Sequence, residues 1–189
     1  VNAKRSTAKN RKWLFAIAVL ACSCTPPLDK IKSELASNPT SGHYLQVPFI
    51  SQQELYCGPA SLAMVANYYG VKVSQDEIAA RYFQAEAGGL FTVDMIAAAK
   101  ELGFKPEHGP GNWEQITNRL RNGNPVIVFF SLTVEPFPTR HFAVAIGYLD
   151  SANRQYLILH SGSKPDQVIP RPKFERMWSQ EDSWMMTFY

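Results

Sequence analysis

The hydrophobic pattern changes period midway along the chain. In the first half, apolar residues fall near helical spacing and glycines break the run. In the second half they form short continuous stretches rich in β-branched and aromatic residues. The most apolar helical stretch starts at Cys57-Gly58-Pro59-Ala60. Proline is tolerated in a first helical turn, where its missing N–H has no intrahelical partner. From Ala60 onward Leu62, Met64, Val65, Tyr68 and Tyr69 supply a buried side, and Gly70 is a natural C-terminal stop. Ser74 and Glu77 make a capping box for a second helix, roughly Gln75 to Gln84. Beyond Gly88-Gly89, Thr92 is expected to cap a third helix whose apolar residues Val93, Ile96 and Ala97, with Leu102 further on, lie near helical spacing, and which ends at Gly103. Asn112 and Gln115 predict the cap of a fourth helix, Trp113 to Asn122, stopped by Gly123.

Strand signals follow. Pro125 to Ser131 is a continuous apolar run, as expected of a buried strand, and His141 to Leu149 is another. A proline-rich loop with Pro136 and Pro138 joins them. Asp150-Ser151-Ala152-Asn153 predicts a turn into a hairpin partner, Gln155 to Leu159. Ser161 to Pro172 reads as a polar loop, Phe174 to Trp178 as one helical turn, and Ser183 to Phe188 as a closing strand. Ahead of the helices, Tyr44 to Ile50 is extended, with Pro48 confining it to an edge or an irregular strand. Helices first and an antiparallel sheet second predict an α+β domain.

The N-terminal pattern is of another kind. Lys4, Arg5, Lys9, Arg11 and Lys12 precede an apolar run from Trp13 to Ala21, too short to span a bilayer and flanked like a secretory signal. Those five cations account for the net charge of +3; without them the chain carries about −2 (3 − 5), so nothing argues for a nucleic-acid partner. Val19-Leu20-Ala21-Cys22 resembles the lipobox of bacterial lipoproteins, with Cys24 a poorer alternative. The organisation expected is a signal peptide over 1–21, a lipid-anchored tether over 22–43 with a short helical piece around Lys30 to Leu35, and a folded domain over 44–189. In a Gram-negative cell, Ser23 after the lipidated cysteine implies an outer-membrane protein facing the periplasm.

Three residues carry candidate chemistry. Cys57 stands at a helix start, where the partial positive charge favours the thiolate. His141 opens a buried strand, and Gln52 lies five residues before the cysteine (57 − 52). A cysteine–histidine pair supports nucleophilic attack on an acyl carbon, and a fixed amide donor suits the oxyanion that results. Gln53 is an alternative donor one residue nearer. His43 and His108 read as surface or loop residues. One cysteine in the folded domain and scattered histidines have no zinc-site spacing, and no metal or cofactor is expected.

Val47-Pro48-Phe49, Gln52, Cys57-Gly58-Pro59-Ala60-Ser61 and His141-Phe142-Ala143-Val144 together resemble the papain-like bacteriocin-processing, or double-glycine, peptidases, and more closely their stand-alone lipoprotein relatives. Ser161-Gly162, Phe174-Glu175-Arg176-Met177-Trp178 and Trp184-Met185-Met186 extend the resemblance over Tyr44 to Tyr189. It implies a papain-like fold with a helical lobe on a C-terminal antiparallel sheet. It also implies a Cys57 nucleophile, a His141 general base and acid, and a Gln52 oxyanion donor. Where the family has an aspartate or asparagine to orient the histidine, this chain has Ser161, with His160 beside it; Asp150 and Asp166 are nearby in sequence. The function implied is hydrolysis of peptide bonds, at small-residue sites such as Gly-Gly, by an envelope lipoprotein acting as a monomer. The alternatives are a domain that binds extended peptides without cutting them, and an acyl transferase or amidase on a non-protein substrate. The membrane and ATPase segments of transporter-fused relatives are not seen, so leader processing coupled to export is not expected.

Overall fold

The computed structural model describes residues 25–133, 138–151 and 154–188. The expected signal peptide, Cys22, Cys24, Pro136 and the Ala152-Asn153 turn lie outside the described residues. In chain order the elements are α1 (Leu28–Ser37), β1 (Gly42–Tyr44), α2 (Cys57–Tyr68), α3 (Gln75–Tyr82), α4 (Thr92–Glu101), β2 (Glu107–Pro110) and α5 (Trp113–Arg121), then β3 (Val126–Ser131), β4 (Arg140–Ser151), β5 (Arg154–Ser161), β6 (Lys164–Pro170), α6 (Arg171–Trp178) and β7 (Trp184–Thr187). The strands form one antiparallel sheet in the order β2-β7-β3-β4-β5-β6, as the α+β pattern predicts.

β4 is the spine of this sheet. Its first half pairs with β3, from Arg140 against Ser131 to Ala145 against Val126. β1 then takes up the same edge, with Tyr44 opposite Gly147. Gly147 permits this approach: a β-carbon there would lie 2.8 Å from the His43 carbonyl oxygen. α2 packs on β4 and is buried from Gly58 through Ala66, which is why its sequence is apolar on nearly every side. Both capping boxes form as the sequence predicts: Ser74 with Glu77 starts α3, and Asn112 with Gln115 starts α5.

Three expectations are corrected and one element is added. The segment expected to be a tether is folded from residue 28: α1 buries Ile31 to 1% exposure, packs Leu28 and Leu35 on the core, and pairs Glu34 with Arg154 at 2.9 Å. α4 turns Met95, Ala98 and Ala99 inward and leaves Val93 exposed, and its start is fixed by the Asp94 carboxylate accepting the Phe91 N–H rather than by Thr92. Most of the expected loop after Ser161 is strand β6. Finally, β2 is a further edge strand with no periodicity to betray it. Among the described residues no helix is long and apolar enough to cross a membrane.

Candidate active site

The site is built where α2 meets the start of β4. Leu55 adopts a left-handed backbone (φ 65°), an uncommon conformation for a branched side chain and one that concentrates at functional turns. That turn delivers Cys57 to the first position of α2. Gly58 then lets the helix start close on its neighbours: a β-carbon there would lie 3.2 Å from Met95 Sδ, 3.3 Å from Leu90 Cβ and 3.5 Å from the Phe142 ring. Cys57 is left half-buried in a cleft of about 590 Å³, and its thiol has no disulfide partner among the described residues. Gln52, Leu55, Leu132, His141 and Ser161 line the same cleft.

His141, next to Phe142 on β4, is 7% exposed and meets the edge of the Phe130 ring at 5.7 Å. Its Nε2 lies 2.9 Å from Ser161 Oγ at the end of β5. With Nε2 engaged there, Nδ1 is the ring nitrogen left for the thiol. Gln167 holds the strand end in place by donating from Nε2 to the Ser161 carbonyl.

The other three candidates for orienting His141 are engaged elsewhere. His160 Nε2–H donates to the Val47 carbonyl at 3.0 Å, and its Nδ1 accepts the Asp166 N–H at 3.2 Å. Asp150 accepts from Trp113 Nε1 at 3.0 Å and from Gln155 Nε2 at 2.7 Å. It stands nine residues along β4 from His141 (150 − 141), roughly 30 Å at the rise of a strand. Asp166 accepts from the Tyr44 hydroxyl at 2.7 Å. Of the residues considered from sequence, only Ser161 touches the imidazole.

The two glutamines also separate. Gln53 Nε2 donates to Asp76 at 2.9 Å, which commits its amide away from the thiol. The Gln52 backbone N–H donates to the Gly162 carbonyl at 3.2 Å, and its half-buried side chain lines the cleft. Sequence reasoning missed the contacts of Gln75 and Gln167. Gln75 was legible only as part of a capped helix start, and its contacts depend on how α3 packs. Among the described residues no group of His, Cys, Asp and Glu is arranged to hold a metal ion.

The electrostatics correct one expectation. Burial pushes the Cys57 thiol up, and the backbone N–H groups of Phe142, Gly58 and Cys57 that oppose this do not overcome it. Burial also pushes the His141 imidazole down to about 4. The helix start alone favours a thiolate, but the burial of both groups favours the neutral thiol and imidazole at rest. A buried neutral histidine also couples stability to pH. Below its ordinary value near 6.5 the unfolded chain takes up a proton that the folded chain refuses until about pH 4. Stability is therefore expected to fall as pH drops across that window, by up to roughly 3 kcal/mol from His141 alone. Urea unfolding at pH 7, 5.5 and 4.5 checks this, and His141→Gln should flatten the slope.

Similarity to known proteins agrees with this geometry. The model of the family described as "Peptidase_C39 like family" matches residues 44–183. The chain belongs to that family. As a C39-like peptidase it is a cysteine peptidase. Solved structures share the fold. A C39-like peptidase from Bacillus anthracis superposes with a TM-score of 0.63 at 21% identity, over 78% of this chain and 97% of its own. A double glycine motif protease from an AMS/PCAT transporter, solved with a leader peptide, gives 0.58 at 23% identity, over 77% and 93%. The peptidase domain of Streptococcus ComA, a bi-functional ABC transporter of a quorum-sensing pathway, gives 0.52 at 23%, over 77% and 98%. The resemblance read from Cys57-Gly58-Pro59 and the His141 strand is thus borne out, as is the papain-like α+β fold. No curated protein matches the chain.

Proposed function

We propose that this C39-like peptidase hydrolyses peptide bonds through a thioester on Cys57. The observation that carries the reading is the shared cleft: Cys57 at a helix start faces it together with a buried His141 whose Nε2 is tied to Ser161. In the tautomer with the proton on Nε2, Nδ1 is the base. The Cys57 proton passes to Nδ1 as sulfur attacks the scissile carbonyl, and the oxyanion is met by the Gln52 amide and the Cys57 N–H. A helix start leaves that N–H without an intrahelical acceptor. Collapse breaks the C–N bond, and the imidazolium protonates the departing amine. Water, deprotonated by His141, then attacks the thioester and releases the thiol.

The substrate we infer is an extended peptide with small residues at the cut. A leader peptide is bound to one structural neighbour, which supports a peptide in this cleft. A complex peptide mixture incubated with the protein and read by mass spectrometry tests the activity. New termini that share a sequence preference, made by wild type and not by His141→Ala, are expected. No new termini at any pH from 5 to 9 would favour the one reading that Ser161 supports against catalysis, a domain that binds peptides without cutting them.

We further propose that the protein is an envelope lipoprotein anchored at Cys22. Cys22 lies six positions before the start of α1 (28 − 22), a reach of roughly 20 Å when extended. The folded body would then stand close to the membrane rather than on a long tether. Cys22→Ala is expected to move the full-length protein from the detergent phase to the aqueous phase. Retention in the detergent phase would sink the anchor.

A further inference from the structure

One buried side chain outside the cleft grips the loop that carries Gln52 from both sides. Gln75, the first residue of α3, is 8% exposed. Its Oε1 accepts the Gln53 N–H at 3.0 Å, and its Nε2 donates to the Ser51 carbonyl at 3.0 Å. Between those two contacts the Gln52 N–H donates to the Gly162 carbonyl at 3.2 Å. The backbone on either side of Gln52 is therefore tied to α3, and Gln52 itself is tied to the turn after Ser161. A primary amide suits the grip because it offers a donor and an acceptor a short distance apart. The anchor behind it is rigid. The capping box of Ser74 and Glu77 fixes the start of α3, and Ile78 and Ala79 bury its inner face.

We propose that Gln75 is a positioning residue that fixes the Gln52 amide where the oxyanion develops. This rests on reading Gln52 as the oxyanion donor. Such a donor works by being in place before charge appears, and a displacement of about 1 Å costs on the order of 100-fold. The loop is short, exposed at Ser51 and Gln53, and enters the turn at Leu55. Without the two Gln75 contacts its backbone groups turn to water, and the Gln52 side chain loses its fixed origin.

Two probes of Cys57 separate positioning from general disturbance. Acetylation by p-nitrophenyl acetate forms a sulfur–carbon bond through a tetrahedral oxyanion and expels p-nitrophenolate. Alkylation by iodoacetamide displaces iodide and forms no oxyanion. We expect Gln75→Leu to slow acetylation by about 10- to 100-fold while the rate and pH profile of alkylation stay those of wild type. Gln75→Glu, which keeps the acceptor for Gln53 and loses the donor to Ser51, falls between. In a Gln52→Ala background Gln75→Leu should slow acetylation no further, since it acts through Gln52. Parallel loss of alkylation, wild-type acetylation by both Gln75 variants, or multiplied losses in the double variant would overturn the proposal. Wild-type acetylation by Gln52→Ala alone would instead remove the oxyanion role of Gln52, and the role of Gln75 with it.

Discussion

Cys57→Ala is expected to reduce peptide hydrolysis by on the order of 10⁴-fold or more and to leave the fold in place. The size of the loss follows from the chemistry. Without sulfur there is no thioester, and the fixed donors around the cleft retain only the small acceleration that positioning gives to water. Little structural cost accompanies it. Cys57 is half-buried in the cleft, and alanine keeps the β-carbon at the first position of α2. The helix behind it, buried from Gly58 to Ala66, is untouched. The check is a pair of measurements on one preparation, the initial rate on a cleaved peptide and the thermal unfolding midpoint. Lost rate with an unchanged midpoint is the expected pair. Residual hydrolysis within about tenfold of wild type would mean the reaction does not need a nucleophile at this position.

Ser161→Asp is expected to make the enzyme more acid-tolerant and faster at low pH. Among the described residues His141 has a hydroxyl at 2.9 Å and no carboxylate hydrogen-bonded to its ring, and burial holds the imidazole down to about 4. A carboxylate in contact raises a histidine's pKa by about one to three units, because it stabilises the imidazolium. A more basic His141 accepts the Cys57 proton more readily. The rise of alkylation with pH should therefore shift downward by at least about one unit. Ser161→Asn is the control for geometry: it orients the ring without a charge and should leave the profile in place. Ser161→Ala removes the only orienting contact considered and should slow hydrolysis by about tenfold. An unshifted profile in Ser161→Asp would mean that the missing charge is not what holds the resting pair neutral.

Much of the fold was legible because its signals are local. Ser74 with Glu77 and Asn112 with Gln115 mark helix starts that depend on four residues each, and both form as read. β3 and β4 are continuous apolar runs, since a strand buried on both faces needs no alternation. β6 was hidden because it is an edge strand. Pro165 and Pro170 occupy it, and Asp166, in a left-handed conformation (φ 53°), takes up the extra residue where its register shifts against β5. α1 was read only as a helical piece of a tether, because the core that receives Ile31 lies far along the chain. In the site, Cys57, His141 and Gln52 were singled out by motif and share one cleft. Choosing among Ser161, His160 and Asp150 needed distances. Which nitrogen each imidazole presents, and which carboxylate is already spoken for by Trp113 or Tyr44, follows only from the packed sheet. The direction of the thiol's shift was equally hidden: the helix start is local, whereas the burial that outweighs it follows only from the packed fold.

The most direct measurement is to quench a cleavage reaction in acid and map the protein by mass spectrometry, using the best substrate from the peptide mixture. We expect the N-terminal fragment of the substrate to be held as an acid-stable thioester on Cys57, and to be missing when His141 is replaced by alanine. Efficient turnover with no adduct on Cys57 in wild type, and continued turnover in Cys57→Ala, would contradict a cysteine peptidase centred on this residue.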